Sequence, residues 1–176
     1  MIFSSLIRRA YVFALLLALL PVAGRGDALP PPLDEQPPGE RIILPGLLHH
    51  RDALGFGWSR REMSPTGVRF AWIQHLEADV HLDLPDPPAD ATFELRAKPL
   101  YLQYRRQVVA LYVNHRFVTE WVCADDAAFE NFTTRIPARY LKAGPNTITL
   151  RMAYRKSGGD RRKLSLGVEF MRLTFD

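Results

Sequence analysis

The sequence predicts an all-β protein: a single antiparallel β-sandwich of the jelly-roll type with about seven to nine strands. Three observations predict it. Beyond residue 68, apolar side chains recur at every second position. Proline, glycine and asparagine clusters separate these runs at short intervals. After the N-terminal segment, no window of a dozen residues carries an apolar stripe with the helical period of about 3.6.

Residues 1–28 read as a targeting segment. MIFSSLIRRA holds Arg8 and Arg9 and no acid, Tyr11–Leu20 is unbroken apolar sequence, Pro21 interrupts it, and Val22-Ala23-Gly24 supplies small residues for cleavage. That is the order of a secretory signal. The apolar stretch from Ala10 to Ala23 is short against the roughly 20 residues of a spanning helix, so a cleaved signal is expected, with an uncleaved N-terminal membrane anchor as the alternative. Both place the remainder outside the cytoplasm, periplasmic or extracellular. Residues 29–40 read as a proline-rich spacer, since LPPPLDEQPPG carries five prolines and favours extended polyproline II geometry.

Residues 41–176 are the sandwich domain. From Arg41 to Trp58 the pattern is mixed, with Pro45-Gly46 as a turn and Gly55-Phe56-Gly57-Trp58 as a loop with an aromatic tip. Leu76, Ala78, Val80, Leu82 and Leu84 then alternate with Glu77, Asp79, His81 and Asp83, the pattern of a half-buried strand ended by Pro85. Phe93, Leu95 and Ala97 alternate in the next strand, stopped by Pro99. Gln107–Val113 is nearly all apolar, as for a strand covered on both faces. Asn114-His115 turns it into a hairpin with Phe117–Val122. Asn131–Ile136 is a strand closed by Pro137, the cluster from Leu141 to Asn146 is a turn, and Thr147–Tyr154 resumes alternation. Ser157-Gly158-Gly159-Asp160 is a loop. Leu164, Leu166, Val168 and Phe170 alternate, and Leu173 and Phe175 continue after a bulge.

Composition narrows the function. The net charge of +4 becomes +2 without Arg8 and Arg9, with 21 basic against 19 acidic residues, and the charges are interspersed. No nucleic-acid surface is expected from that balance. The one cysteine, Cys123, follows Trp121-Val122 in a strand-like run and reads as a packed, inert thiol. G-x-S-x-G, H-E-x-x-H, C-x-x-C and phosphate-binding glycine patterns are missing, so neither an enzyme nor a cofactor is expected.

Four short signatures occur in order. Gly57-Trp58-Ser59 is followed by Glu62, which precedes Trp72 by ten residues. An apolar strand ends in Val113-Asn114. Gly144-Pro145-Asn146 precedes Thr147-Ile148-Thr149-Leu150. Asp160-Arg161-Arg162-Lys163-Leu164 precedes Gly167. Together, over about residues 55–175, they resemble the galactose-binding-like jelly-roll domains of bacterial envelope proteins, whose relatives accompany membrane glycosyltransferases and polysaccharide-modifying enzymes. The pattern there is G-W-x-x-x-E, R-W, V-x-V-N-G, G-x-N-x-I-x-L and D-x-R-x-L. This chain departs from it at Ala71, where an arginine is expected, and at His115, where a glycine is expected. The resemblance implies an exported accessory module that binds carbohydrate or an envelope protein, touching the membrane only through an uncleaved N-terminal segment.

The candidate ligand residues are Trp58, Glu62, Trp72, Asn114, Asp160 and Arg162. Trp58, Trp72 and Trp121 with Tyr101, Tyr104 and Tyr154 could form a sugar-stacking platform, for which Trp58 in its glycine-flanked loop is the best placed. Trp72 and Trp121 also suit the core. Asp160 and Arg162 can instead close an ion-pair clasp on Glu62. Alternatives are a protein-docking module of the envelope, or a small glycan hydrolase or lyase using Glu62 and Asp160. His75, Glu77, Asp79, His81 and Asp83 share one strand face. Neighbours along that face stand about 6.6–6.8 Å apart, which suits a solvated surface better than a metal site.

Overall fold

Period-two alternation becomes strands throughout. The structure, a computed structural model, describes residues 29–84, 89–100, 104–124, 128–157 and 161–176. Residues 1–28, read from the sequence as a targeting segment, lie outside the described residues, as do Tyr101 and Asp160. In chain order the strands are β1 (Glu40–Ile43), β2 (Trp58–Met63), β3 (Arg69–Ile73), β4 (Glu77–Leu84), β5 (Ala91–Pro99) and β6 (Val108–Val113). They continue as β7 (Arg116–Val122), β8 (Glu130–Ile136), β9 (Gly144–Met152), β10 (Lys156–Ser157), β11 (Lys163–Leu164) and β12 (Leu166–Phe175).

Two antiparallel sheets form the sandwich. One runs β2-β3-β12-β5-β8, with β1 beside the far half of β12; the other runs β4-β9-β6-β7. β12 is the hub of the larger sheet. Its Leu166–Val168 portion pairs with β3, its Met171–Thr174 portion with β1, and its other edge with β5 along nearly its whole length. The bulge falls earlier than expected, at Glu169 between Val168 and Phe170, so Phe170 is only half-buried while Leu166, Val168, Met171 and Leu173 turn inward.

The core fills the space between the sheets. Ala78, Val80, Leu82 and Leu84 of β4 face Ala91, Phe93, Leu95 and Ala97 of β5, joined by Leu111, Ile148, Leu150 and Leu173. Cys123 is buried in this core, which pushes its thiol up to about 12, with Glu130 adding to the shift. It is an inert thiol at neutral pH. Trp121 stacks at 6.4 Å on Phe93 and lies 5.6 Å from Phe132, between the sheets.

Two expectations are corrected. Gln107–Val113 is not covered on both faces: β6 alternates between buried and half-buried positions, because its outer face carries Tyr112 beneath Arg151 and beside Phe117. Nor does the proline-rich stretch stand off as a spacer. Gln36 is buried, donates to Pro31 and Ile42 carbonyls at 3.0 and 2.8 Å, and accepts from Ile42 N–H at 2.6 Å. A single glutamine thus satisfies three backbone groups that proline-rich sequence cannot pair through a ladder.

Among the described residues no helix is long and apolar enough to cross a membrane.

Candidate ligand-binding site

The site begins with two glycines. Gly57 takes φ +96°, and a side chain there would run into the Glu77 carbonyl and Ala78. A side chain at Gly55 would meet the His81 ring. Lacking Cβ atoms at both places, residues 54–57 press against the open edge of β4. Gly55 N–H donates to the Asp79 carbonyl and Asp79 N–H to the Phe56 carbonyl, both at 3.0 Å. The same Asp79 carbonyl accepts the Trp58 indole N–H at 2.7 Å. Trp58 is therefore not a loop tip: it opens β2, half-buried against the core, and Phe56 is the exposed tip, lying on His75.

Beyond Trp58 a register shift in the β2–β3 pairing advances the chain before Arg61 pairs with Ala71. This brings Arg60 and Arg61 beside Trp58 along a groove of about 500 Å³, with Gln74 from the end of β3. The opposite wall is the 3-10 turn Leu48–Ala53 and its flanks, which supply Arg51, Leu47 and Leu54. His50 holds that wall in place. Its Nδ1 accepts the Leu44 N–H at 2.9 Å, so Nε2 carries the proton and donates to the Pro31 carbonyl at 3.0 Å. The ring is fully buried, and burial lowers its pKa below the ordinary 6.5.

On the other face of the same sheet, Glu62 and Arg162 are engaged with their neighbours. Glu62 accepts the Trp72 indole N–H at 3.1 Å through one oxygen and Arg162 at 2.5 Å through the other. Arg162 also donates to Ser59 at 3.2 Å. The Glu62–Arg162 part of the expected clasp is therefore formed, tying β2 to the residues before β11, while Asp160 lies outside the described residues. Each Glu62 oxygen thus accepts a hydrogen bond from within the fold. Trp72 is buried with Phe70 and Leu164. Lys98 Nζ sits 4.2, 5.0 and 5.3 Å from the ring centres of Phe70, Phe129 and Trp72. Burial pulls the Lys98 ammonium below its ordinary 10.5, and the charge of Glu62 acts in the opposite sense. Gly167 lies between Trp72 and Lys98 in register, and a Cβ there would press on Phe70 and Lys98 at 3.2–3.3 Å.

Asn114 is remote from both faces and is a latch. At φ +49° it turns the β6–β7 hairpin with His115 at +66°. Its Nδ2 donates to the Tyr140 carbonyl and to Asn146 Oδ1, both at 2.8 Å, and its Oδ1 accepts Thr147 N–H at 3.0 Å. All its hydrogen-bonding capacity but one lone pair is spent inside the fold.

The polar face of β4 is likewise tied to β9: Glu77 to Arg151 and Asp79 to Thr149, both at 2.7 Å. No group of three or more potential metal ligands occurs among the described residues. The three tryptophans do not converge on one platform, for they occupy the groove, the outer face and the core. Sequence reasoning singled out Trp58 and missed Arg51, Arg60, Arg61 and Gln74. The Arg60-Arg61 doublet, separated from Trp58 by Ser59 alone in the same strand, was the available signal.

The fold is a jelly-roll β-sandwich. Two solved structures are similar to it. One is the CBM36-1 domain of a multidomain xylanase from the hindgut metagenome of Trinervitermes trinervoides, with TM-score 0.51, 11% identity, and 78% of this chain against 98% of that one covered. The other is a Podospora anserina GH26-CBM35 β-(1,4)-mannanase, with TM-score 0.51 and 14% identity; 80% of this chain spans only 28% of that one. No protein-family model matches the sequence, and no curated protein matches it.

Proposed function

We propose that this chain is a non-catalytic carbohydrate-binding module, exported to the cell envelope, whose ligand lies in the groove beside Trp58. The observation that carries this reading is the groove itself. It is preformed, about 500 Å³ in volume, and walled by a fixed indole, two leucines and several donors with room for a ligand. Concave sites of about 300–1,000 Å³ that combine apolar walls with a few placed polar groups are the usual form of small-ligand pockets. An indole offers an apolar face to the C–H side of a pyranose ring, and Gln74 offers donor and acceptor to its hydroxyls. The similarity to the CBM36-1 domain of a multidomain xylanase, which this chain spans almost wholly, supports the same reading. Export rests on the order of charged, apolar and small residues at the N-terminus.

A glycan-array screen of the full-length chain tests it. Saturable binding to one polysaccharide class is expected, weakened by Gln74→Ala and by Arg51→Ala with the melting temperature held. A folded protein that binds no glycan would overturn the reading and favour docking to an envelope protein.

A further inference from the structure

Resting on that carbohydrate-binding reading, we infer that the glycan is anionic, and that Arg51, Arg60 and Arg61 bind carboxylate or sulfate groups carried on its sugar rings.

The groove's charge is one-sided. Three guanidiniums line it and no carboxylate does. All three are exposed, and none donates a side-chain hydrogen bond or forms an ion pair with another described residue. By contrast, Arg96, Arg135, Arg151, Arg162 and Arg172 each hold a carboxylate. The nearest candidate on β2, Glu62, is on the far face and bonded to Trp72 and Arg162. Two of the three arginines come from adjacent positions at a register shift in β2, and the third from a wall fixed by buried His50. Three like charges around one concavity repel one another, so the folded domain bears a cost that an anionic ligand removes. Arginine's planar fork matches carboxylate and sulfate oxygens two at a time, which gives direction as well as charge. The neighbouring indole and leucines make the site amphipathic. That fits a charged group on a ring with apolar C–H faces better than a bare inorganic anion, which offers no apolar surface. A nucleic acid also carries anions, but the three arginines occupy one short groove rather than a basic stripe.

Binding is measured by titration calorimetry on the full-length chain with four polymers: polygalacturonate, the same polymer after carboxyl reduction, dextran sulfate, and dextran. A single-stranded oligodeoxynucleotide is the fifth probe. The inference expects saturable binding to polygalacturonate or dextran sulfate, and the stronger of the two names the acid. The neutral counterparts bind at least about tenfold more weakly. R60Q/R61Q loses about tenfold or more of the charged-polymer affinity at unchanged melting temperature, and Arg51→Gln loses less. K142Q/K156Q, which removes two exposed charges outside the groove, retains it. Equal affinity for charged and neutral polymers overturns the anionic ligand and leaves the glycan reading standing. Equal loss in K142Q/K156Q, or tighter binding to the oligonucleotide, overturns the groove as a glycan-acid site. Binding to none of the four polymers overturns the inference, and a blank glycan array as well removes the wider reading with it.

Discussion

Strand β2 separates two surfaces that treat their cations in opposite ways. On the outer face of the large sheet, Arg162 is held by Glu62 and Ser59, and Lys98 lies over three aromatic rings. On the groove side, a few residues away, Arg51, Arg60 and Arg61 line open space. The residue types are alike and the environments are not. The first set is consumed in holding β2, β3 and the approach to β11 together. The second holds nothing together, and its side chains remain available to a ligand. Residue type alone therefore says little here about function, and the internal partners decide.

The comparison makes graded predictions. Trp72→Ala removes the largest buried ring of the outer face and strands Glu62 and Lys98. It should cost about 3–5 kcal/mol by chemical denaturation, and a loss below about 1 kcal/mol would mean the cluster is not cohesive. Glu62→Gln keeps a partner for the Trp72 indole but removes the negative charge that holds Arg162, whose side chain is 24% exposed. The expected loss is about 1–3 kcal/mol, read as a lower denaturant midpoint. Because it releases a cation rather than an anion, it should not weaken groove binding.

Acid should loosen the groove wall. His50 is buried and neutral, with a folded pKa below the 6.5 of a free imidazole and the ring of His49 at 4.5 Å. A depressed folded pKa means that the unfolded chain binds the proton first. The contribution of His50 is therefore complete above about pH 6.5 and declines as the pH falls from there toward the lower folded value. Thermal melts between pH 7.5 and 5 should show that decline, and His50→Gln, less stable overall, should flatten it. A parallel decline in the variant would assign the effect to other groups. The smallest stability effect belongs to the groove cations: Arg60→Gln and Arg61→Gln should each stay within about 0.5 kcal/mol of the parent.

The sandwich was legible in the sequence because one-sided burial imposes alternation. Ala78 to Leu84 and Phe93 to Ala97 announce strands without help from any partner. The Glu62–Arg162 clasp was legible too, since opposite charges at the two ends of a sandwich have few other places to go. The groove was not. Arg60 and Arg61 meet Trp58 only because the β2–β3 register shifts, and nothing local to β2 shows a shift that depends on its pairing. Arg51 arrives from a short 3-10 turn whose position depends on a buried histidine bonded to Pro31, nineteen residues earlier. The docking of the proline-rich stretch was hidden for the same reason, because Gln36 reveals its role only once Ile42 lies beside it.

β12 carries a consequence for the order of assembly. It is the last strand of the domain, and it supplies pairing edges to β1, β3 and β5. Until Leu166–Phe175 arrives, β1 has no strand to pair with, and β3 reaches β5 through nothing else. The larger sheet therefore closes in a late step that joins residues far apart in the chain, the kind of step that makes folding slow. Ribosome-bound chains that stop before Leu166 should remain sensitive to protease, and resistance should appear only after β12 has emerged.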